Sequence, residues 1–553
     1  MKKLFVIIAA GVILLSPAYV ESAPPPHRWV YVSKSLHRDR DLDDIQAILQ
    51  TASKHGINGM ALSAGFDRLD LQPAHYFERL ERVKILCRES GVELIPMIFS
   101  VGYGGSVLGH DKNLAAGLLV QGARYRVEKG KVSFLPDPQA KIENGDLERY
   151  EGNNIAGYQF HDQPGTISFV DTKIRAQGRA SLRMENFASN PHGHGRIMQE
   201  VAVTPHRCYR LTFQVKTENL QPEGSLRFMA LADERSLAPI DLSIPSTTDW
   251  RTVSVGFNSL DYNQVKIYIG VWGGKSGQFW LDDIRLEEVS LLNVLRRPGA
   301  PVTVRHEQTG AVYEEGVDYK PIEDPKLNFR FDHELPSIQL LPDSRIPENG
   351  FLRVDYYHGM SINRGQVSVC MSEPKLYEIW DEQIQLIKKH LDPDYYFLSM
   401  DEIRAGGACQ ACQTRNLSMA EILGNCITRQ CGLIKKHDPG SQILIWSDML
   451  YPHHNAHDDY YLVTGDFSGA WNYIPKDLII ACWYYDKREE SLPHFDRLGF
   501  PVLAAAYYED DTLENPRGWL ASLKKIKKPF GVMYTTWQNK YEDLAEFGDL
   551  ASQ

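Results

Sequence analysis

The sequence predicts an α/β protein built as a (β/α)8 TIM barrel, interrupted after its third strand by an all-β sandwich. Three observations carry that reading. Short apolar runs bounded by turn residues alternate with helical periodicity in the first 110 residues and again beyond residue 374. Between those parts the rhythm stops, and brief alternating strands separated by Gly, Pro and Asp replace it. Outside that interval the barrel-type strands number eight, which is what closure needs.

At 553 residues the chain exceeds one ordinary domain, and 43% hydrophobic with 24% charged residues is the make-up of a globular protein with a substantial core. A net charge of -11 and the absence of any long Lys/Arg run argue against a nucleic-acid partner. Residues 1–23 read as a secretory signal: Met1-Lys2-Lys3, an apolar stretch from Leu4 to Leu15, then small residues at Ser22 and Ala23. The apolar stretch is short for a membrane span, no Cys follows it to take a lipid, and no later stretch is long enough to span. Export to the periplasm or the exterior is therefore expected, with no membrane span in the mature chain.

The first part of the barrel, 24–111, shows strands over 29–33, 56–63 and 92–99 with helices over 42–55 and 76–90. A β linker over 112–141 leads into the sandwich, 142–290, with strands expected at 144–148, 178–184, 208–215, 264–271 and 277–286. Further β structure fills 291–365. The second part of the barrel, 366–553, opens with an amphipathic helix from Pro374 and continues with strands ending near Leu398, Asp448, Tyr484, Tyr508 and Trp537.

The fourth strand breaks off into Asp401-Glu402, and the plain alternative for such a pair is a helix N-cap with a first-turn acid. The later strand ends favour chemistry: Trp446 and Asp448, Trp483 and Tyr484, Tyr507, Tyr508 and Glu509, and Trp537 recur where a barrel keeps its site. Arg404 follows the pair directly. Tryptophans around two carboxylates suit a sugar ring, whose C–H faces stack on aromatic planes while its hydroxyls need fixed polar partners. Adjacent residues on a strand face opposite ways, so Asp401 and Glu402 suit a reaction in which the sugar's own 2-acetamido oxygen attacks, one carboxylate steadying that group and its neighbour acting as acid and then base. The alternatives are a glycosidase on another polysaccharide with Asp448 or Glu509 as partner to Glu402, and a non-catalytic glycan-binding protein.

The segment from Pro374 through Asp401-Glu402, with the aromatics that follow, resembles the β-N-acetylhexosaminidases, the family 20 glycoside hydrolases, as a distant relative. The resemblance covers about 29–110 and 366–545. It implies Glu402 as general acid/base, Asp401 as the acetamide-orienting carboxylate, a Tyr near 507 as donor to the acetamide oxygen, and the Trp residues as pocket walls. Leu398-Ser399-Met400 stands where that family carries a His and glycines. The inserted stretch resembles the jelly-roll carbohydrate-binding modules attached to many glycoside hydrolases, above all in its last strand. The expected partner is a glycan or polysaccharide.

Eight cysteines raise the question of cross-links. Cys87, Cys208, Cys370 and Cys482 are scattered and read as buried thiols. Cys409, Cys412, Cys426 and Cys431 form C-x2-C and C-x4-C after the acidic pair, a spacing that suits a tetrahedral zinc site or two disulfides; export favours disulfides. The His-rich loop 452–459 reads as a solvated rim, and no metal or cofactor is expected.

Overall fold

The computed structural model describes residues 25–507, 509 and 512–553. The signal-type segment 1–23 and Tyr508 lie outside the described residues. The barrel elements are β1 (His27–Ser33), α1 (Asp39–Lys54), β2 (Gly59–Ser63), α2 (Ala74–Ser90), β3 (Glu93–Ile98), α3 (Pro374–His390), β4 (Tyr395–Leu398), α4 (Met419–His437), β5 (Gln442–Trp446), β6 (Ile479–Cys482), α5 (Arg488–Arg497), β7 (Val502–Ala506), α6 (Glu514–Leu523), β8 (Pro529–Tyr534) and α7 (Leu544–Ala551). The eight strands form one closed parallel barrel, and β1 pairs with β8 through Arg28 opposite Val532 to complete the ring.

Alternation within these short strands sends one set of side chains inward. Trp29, Ile95, Phe397, Leu444, Trp446, Leu503 and Met533 fill the barrel, while the opposite set packs under the helices. Gly59 is needed here because a Cβ at that position would lie 2.3 Å from the Trp29 indole. One unit departs from expectation. Between β5 and β6 there is no α-helix among the described residues; short 3-10 turns at Asp448–Leu450 and Ala470–Tyr473 and a two-residue strand at Leu462–Val463 stand there instead. The reason is local, since 452–469 is rich in His, Asn, Asp and Gly and carries no helical period.

The interruption lies between β3 and α3. Two five-stranded antiparallel sheets stand there, one centred on Cys208–Gln221 and Ser276–Val289, the other on Leu226–Ala232 and Gln264–Val271. Leu211, Phe213 and Leu281 from the first share an apolar core with Phe228, Ile267 and Ile269 from the second. A third five-stranded sheet joins the two flanking segments, pairing Phe351–His358 with both Leu118–Glu128 and Thr303–His306. The strand expected at 144–148 is a turn instead. Asn144 takes a left-handed backbone, accepts from Arg149 N at 3.0 Å and donates to the carbonyls of Arg149 and Ala156, so its side chain supplies the bonds a strand neighbour would.

Arg235, on the second sheet, binds the barrel: its guanidinium donates to the carbonyls of Tyr461 and Val463, both at 2.6 Å, and pairs with Asp459 at 3.0 Å. Among the described residues no helix is long and apolar enough to cross a membrane.

All eight cysteines are buried free thiols. The disulfides expected among Cys409, Cys412, Cys426 and Cys431 are not formed. Cys426 stands on α4 beside Tyr377, and neither it nor Cys431 approaches the other pair; Cys409 and Cys412 meet Cys370 instead. Sequence spacing paired the wrong thiols because the chain returning from the insertion brings Cys370 to the loop after β4.

Candidate active site

The C-terminal ends of the barrel strands surround a cavity of about 590 Å³. Of the residues singled out in the sequence, Asp401, Glu402, Trp446, Trp483 and Trp537 line it. The backbone explains how two adjacent acids share one cavity. β4 ends at Leu398, so the pair stands beyond the strand, and Glu402 adopts a left-handed φ of 49°. That turn overrides the alternation that would have sent the two carboxylates apart.

The turn is held from three sides. Asp448 Oδ2 accepts from Glu402 N at 2.9 Å, Gln366 Nε2 donates to the Glu402 carbonyl at 2.7 Å, and Gly102 fits against the Asp401 carbonyl, which a Cβ there would approach to 2.0 Å. Asp448 is thus a support rather than a cavity wall. It is buried, and its carboxylate also accepts from Asn455 at 2.8 Å and from Trp483 Nε1 at 3.3 Å, which fixes the indole.

Glu402 is clamped by its own neighbours. Arg404 Nη2 lies 2.8 Å from Oε1, and the Tyr103 hydroxyl donates to Oε2. Arg404 was expected to meet substrate, yet it is buried, bonded to Gln366 and stacked 5.1 Å over Tyr461. It therefore acts on Glu402. Asp401 keeps some surface open to the cavity but is otherwise enclosed by protein. Loss of solvent, and then the nearby Asp448 and Glu402 carboxylates, push it up to about 8, so it holds a proton at neutral pH. Burial raises Asp448 as well.

The aromatic wall is a cluster: Trp537 lies 5.1 Å from Tyr31, 5.9 Å from Trp446 and 6.3 Å from Trp483. Glu509, a possible second carboxylate from the sequence, is occupied in holding the Trp537 loop, accepting from Thr536 Oγ1, Trp537 N and Gln538 N. Tyr507 faces away. Its ring stacks on Tyr534 at 4.6 Å and its hydroxyl donates to Asp543 at 3.1 Å, under the helices and not in the cavity. A left-handed backbone at Tyr507, φ 72°, turns it outward. Tyr484 does not line the cavity either; its ring lies tilted against His454 at 4.7 Å, and His454 also meets Trp483 at 4.4 Å. His454 is not part of a solvated rim, and burial lowers it to about 4, leaving it neutral.

Sequence reasoning missed Tyr31, Asp67 and Tyr103, all of which line the cavity. Asp67 accepts from Phe99 N at 2.6 Å and Ser100 N at 2.9 Å, fixing the chain as it leaves β3, and burial lifts its carboxyl to about 6. A usable signal existed for Tyr103, since Gly102-Tyr103-Gly104-Gly105 follows a barrel strand directly and so belongs to the rim.

No family model matches the chain, and no curated protein matches it. Among solved structures, that of a Flavobacterium johnsoniae chitobiase is similar over 96% of this chain and 48% of its own, at 9% identity and a TM-score of 0.38. A family 4 carbohydrate-binding module aligns with 27% of this chain and 99% of its own, at 16% identity and a TM-score of 0.20. A family 16 module aligns with 26% of this chain and 97% of its own, at 18% identity and a TM-score of 0.21.

Proposed function

We propose that the protein is an exported glycoside hydrolase acting on glycans that carry a 2-acetamido sugar, by a retaining reaction in which the acetamide itself attacks. The observation that carries this reading is the pairing of Asp401 with Glu402 on one cavity walled by three tryptophans and Tyr31. The acetamide oxygen bonds to the anomeric carbon as the glycosidic C–O bond breaks, Glu402 protonates the departing oxygen, and Asp401 on the cavity floor meets the acetamide N–H. Water then opens the cyclic intermediate with Glu402 as base. Tyr103, which is nearly half exposed and bonded to Glu402, is the residue suited to meet the acetamide oxygen in place of Tyr507.

A partner carboxylate further round the rim is disfavoured, because both oxygens of Asp448 are engaged elsewhere and Glu509 is held by Oε1 to the Trp537 loop. One observation favours an exchange of roles within the pair. Arg404 Nη2 lies 2.8 Å from Glu402 Oε1, whereas burial raises Asp401 toward its protonated form.

Aryl N-acetylhexosaminides test the reading. Glu402→Gln should lose about 10²–10⁴-fold in kcat/KM, the share a positioned acid supplies. If Glu402 is the acid, that loss shrinks on substrates whose leaving group needs no protonation, while Asp401→Asn stays impaired on all of them; the opposite split exchanges the roles. A wild-type enzyme inert toward every aryl N-acetylhexosaminide overturns the substrate class, and an undiminished Glu402→Gln variant overturns the assignment of the site.

A further inference from the structure

We infer that Cys370, Cys409 and Cys412 form a three-thiolate site for a thiophilic divalent cation, zinc being the ion its geometry suits. This stands independently of the proposed reaction. The three sulfurs make a nearly equilateral triangle: 3.3 Å between Cys370 and Cys409, 3.7 Å between Cys370 and Cys412, and 3.6 Å between Cys409 and Cys412. With Zn–S bonds of about 2.3 Å, the edge of a tetrahedral sulfur set is about 3.75 Å. A disulfide needs a separation of about 2.05 Å and joins only two of three sulfurs. No edge of the triangle is short enough to be one.

The local chain is built to hold that triangle. Cys409 caps the short helix Gln410–Gln413, and the bond from Cys412 N to the Cys409 carbonyl at 3.0 Å turns both C-x2-C sulfurs to one side. Cys370 is pinned opposite them by its own N–H, which donates to the Leu114 carbonyl at 2.9 Å. A positive group stands beside the thiols. Arg297 is buried within coulombic reach of Cys370 and Cys409, pairs with Glu373 at 2.7 Å, and has a buried Nη2 without a hydrogen-bond partner. Its Nη1 also donates to the carbonyls of Asn113 and Ala115, which fixes a positive charge beside a site whose metal-bound thiolate set would carry more negative than positive charge.

The fourth position is accounted for as well. A cavity of about 10 Å³ opens on the three cysteines, the space of one water, and its walls include two further soft donors, the thioethers of Met371 and Met419. Its other walls are Gly, Ala and Val, with no His, Asp or Glu among the described residues. A bound ion would join the segment returning from the insertion to the loop after the acidic pair. That same returning segment carries Gln366, which bonds the Glu402 carbonyl and Arg404. The metal's role is therefore to stiffen the support of the cavity without touching substrate.

Full-length protein stripped of metal under reducing conditions, given zinc and passed through a desalting column, should retain one zinc per chain by elemental mass spectrometry. Cobalt(II) in place of zinc should give thiolate-to-cobalt charge-transfer absorption with the visible bands of a tetrahedral ion. Cys409→Ser and Cys412→Ser should each drop zinc to background, while Cys426→Ser and Cys431→Ser keep one equivalent. Because a cysteine variant can fail to fold, the wild-type cobalt spectrum decides by itself. Failure to retain zinc with no cobalt–thiolate band, or a Cys409–Cys412 disulfide that persists under reducing conditions, overturns the inference.

Discussion

At the scale of single residues the site depends on ionisation states that burial sets. Asp401 has a folded value near 8 against an ordinary value of 3.8, so the unfolded chain releases its proton first as pH rises. Between about pH 4 and about pH 8 the folded state binds more protons, and the stability held at low pH is lost as pH climbs through the folded value. Asp401→Asn removes the titrating group, so its melting temperature should fall less steeply over that window than the wild type's. Parallel melting curves for the two proteins from pH 5 to pH 8 would show that Asp401 is ionised in the folded state. His454 contributes the opposite slope on the acid side, because a ring lowered to about 4 resists protonation only while folded and loses stability as pH falls below about 6.5. Glu402 adds strain of about 1–3 kcal/mol through its left-handed backbone, which the bonds from Asp448 and Gln366 offset.

At the scale of elements, β1 and β2 show how a barrel of short strands chooses its register. Trp29 lies opposite Gly59 and is fully buried, and the missing Cβ leaves the space its indole fills. Gly59→Ala should cost about 1–3 kcal/mol, the usual penalty for overpacking a filled core. The check is a chemical denaturation midpoint, where an unchanged midpoint would mean that the strand pair shifts to absorb the methyl. α4 shows how a few local residues fix the start of a helix. Ser418 and Glu421 close a capping box, Ser418 Oγ accepting from Glu421 N at 3.2 Å while Glu421 accepts from Ser418 N at 2.8 Å.

At the scale of the molecule, the insertion is held to the barrel near the site and contributes to a second cavity beside it. That cavity, of about 770 Å³, shares Tyr103 and Ser106 with the first and takes Arg227, Met229 and Asp241 from the sandwich and Tyr461 from the β5–β6 segment. Arg235 fixes these parts together through two carbonyls and Asp459. If the proposed glycan substrate extends from the first cavity into the second, Arg235→Ala should lower kcat/KM on an oligosaccharide several-fold while sparing a small aryl glycoside. Equal losses on both substrates would show that the tie supports the barrel site itself. Loss of charge-assisted bonds of this kind costs about 1.5–3 kcal/mol each, so hydrogen exchange across 459–463 should quicken in the variant.

What the sequence determined by itself was whatever short-range pattern encodes: the strand and helix rhythm, the eight barrel strands, the interval in which they stop, and the acidic pair and tryptophans at strand ends. These follow from periodicity and from the one-sided placement of chemistry on a parallel barrel. The tertiary structure alone decided contacts between distant segments. Tyr103 reaches Glu402 across 299 positions, Cys370 displaces Cys426 and Cys431 as partner of the C-x2-C pair, and Arg404 turns inward to Gln366. Tyr507 belongs to the same class, because one left-handed residue at a strand end reverses the face that alternation assigns. The physical reason is common to all four: side-chain direction beyond a strand end is set by what packs against it, and that neighbour is chosen by chain topology rather than by adjacent sequence.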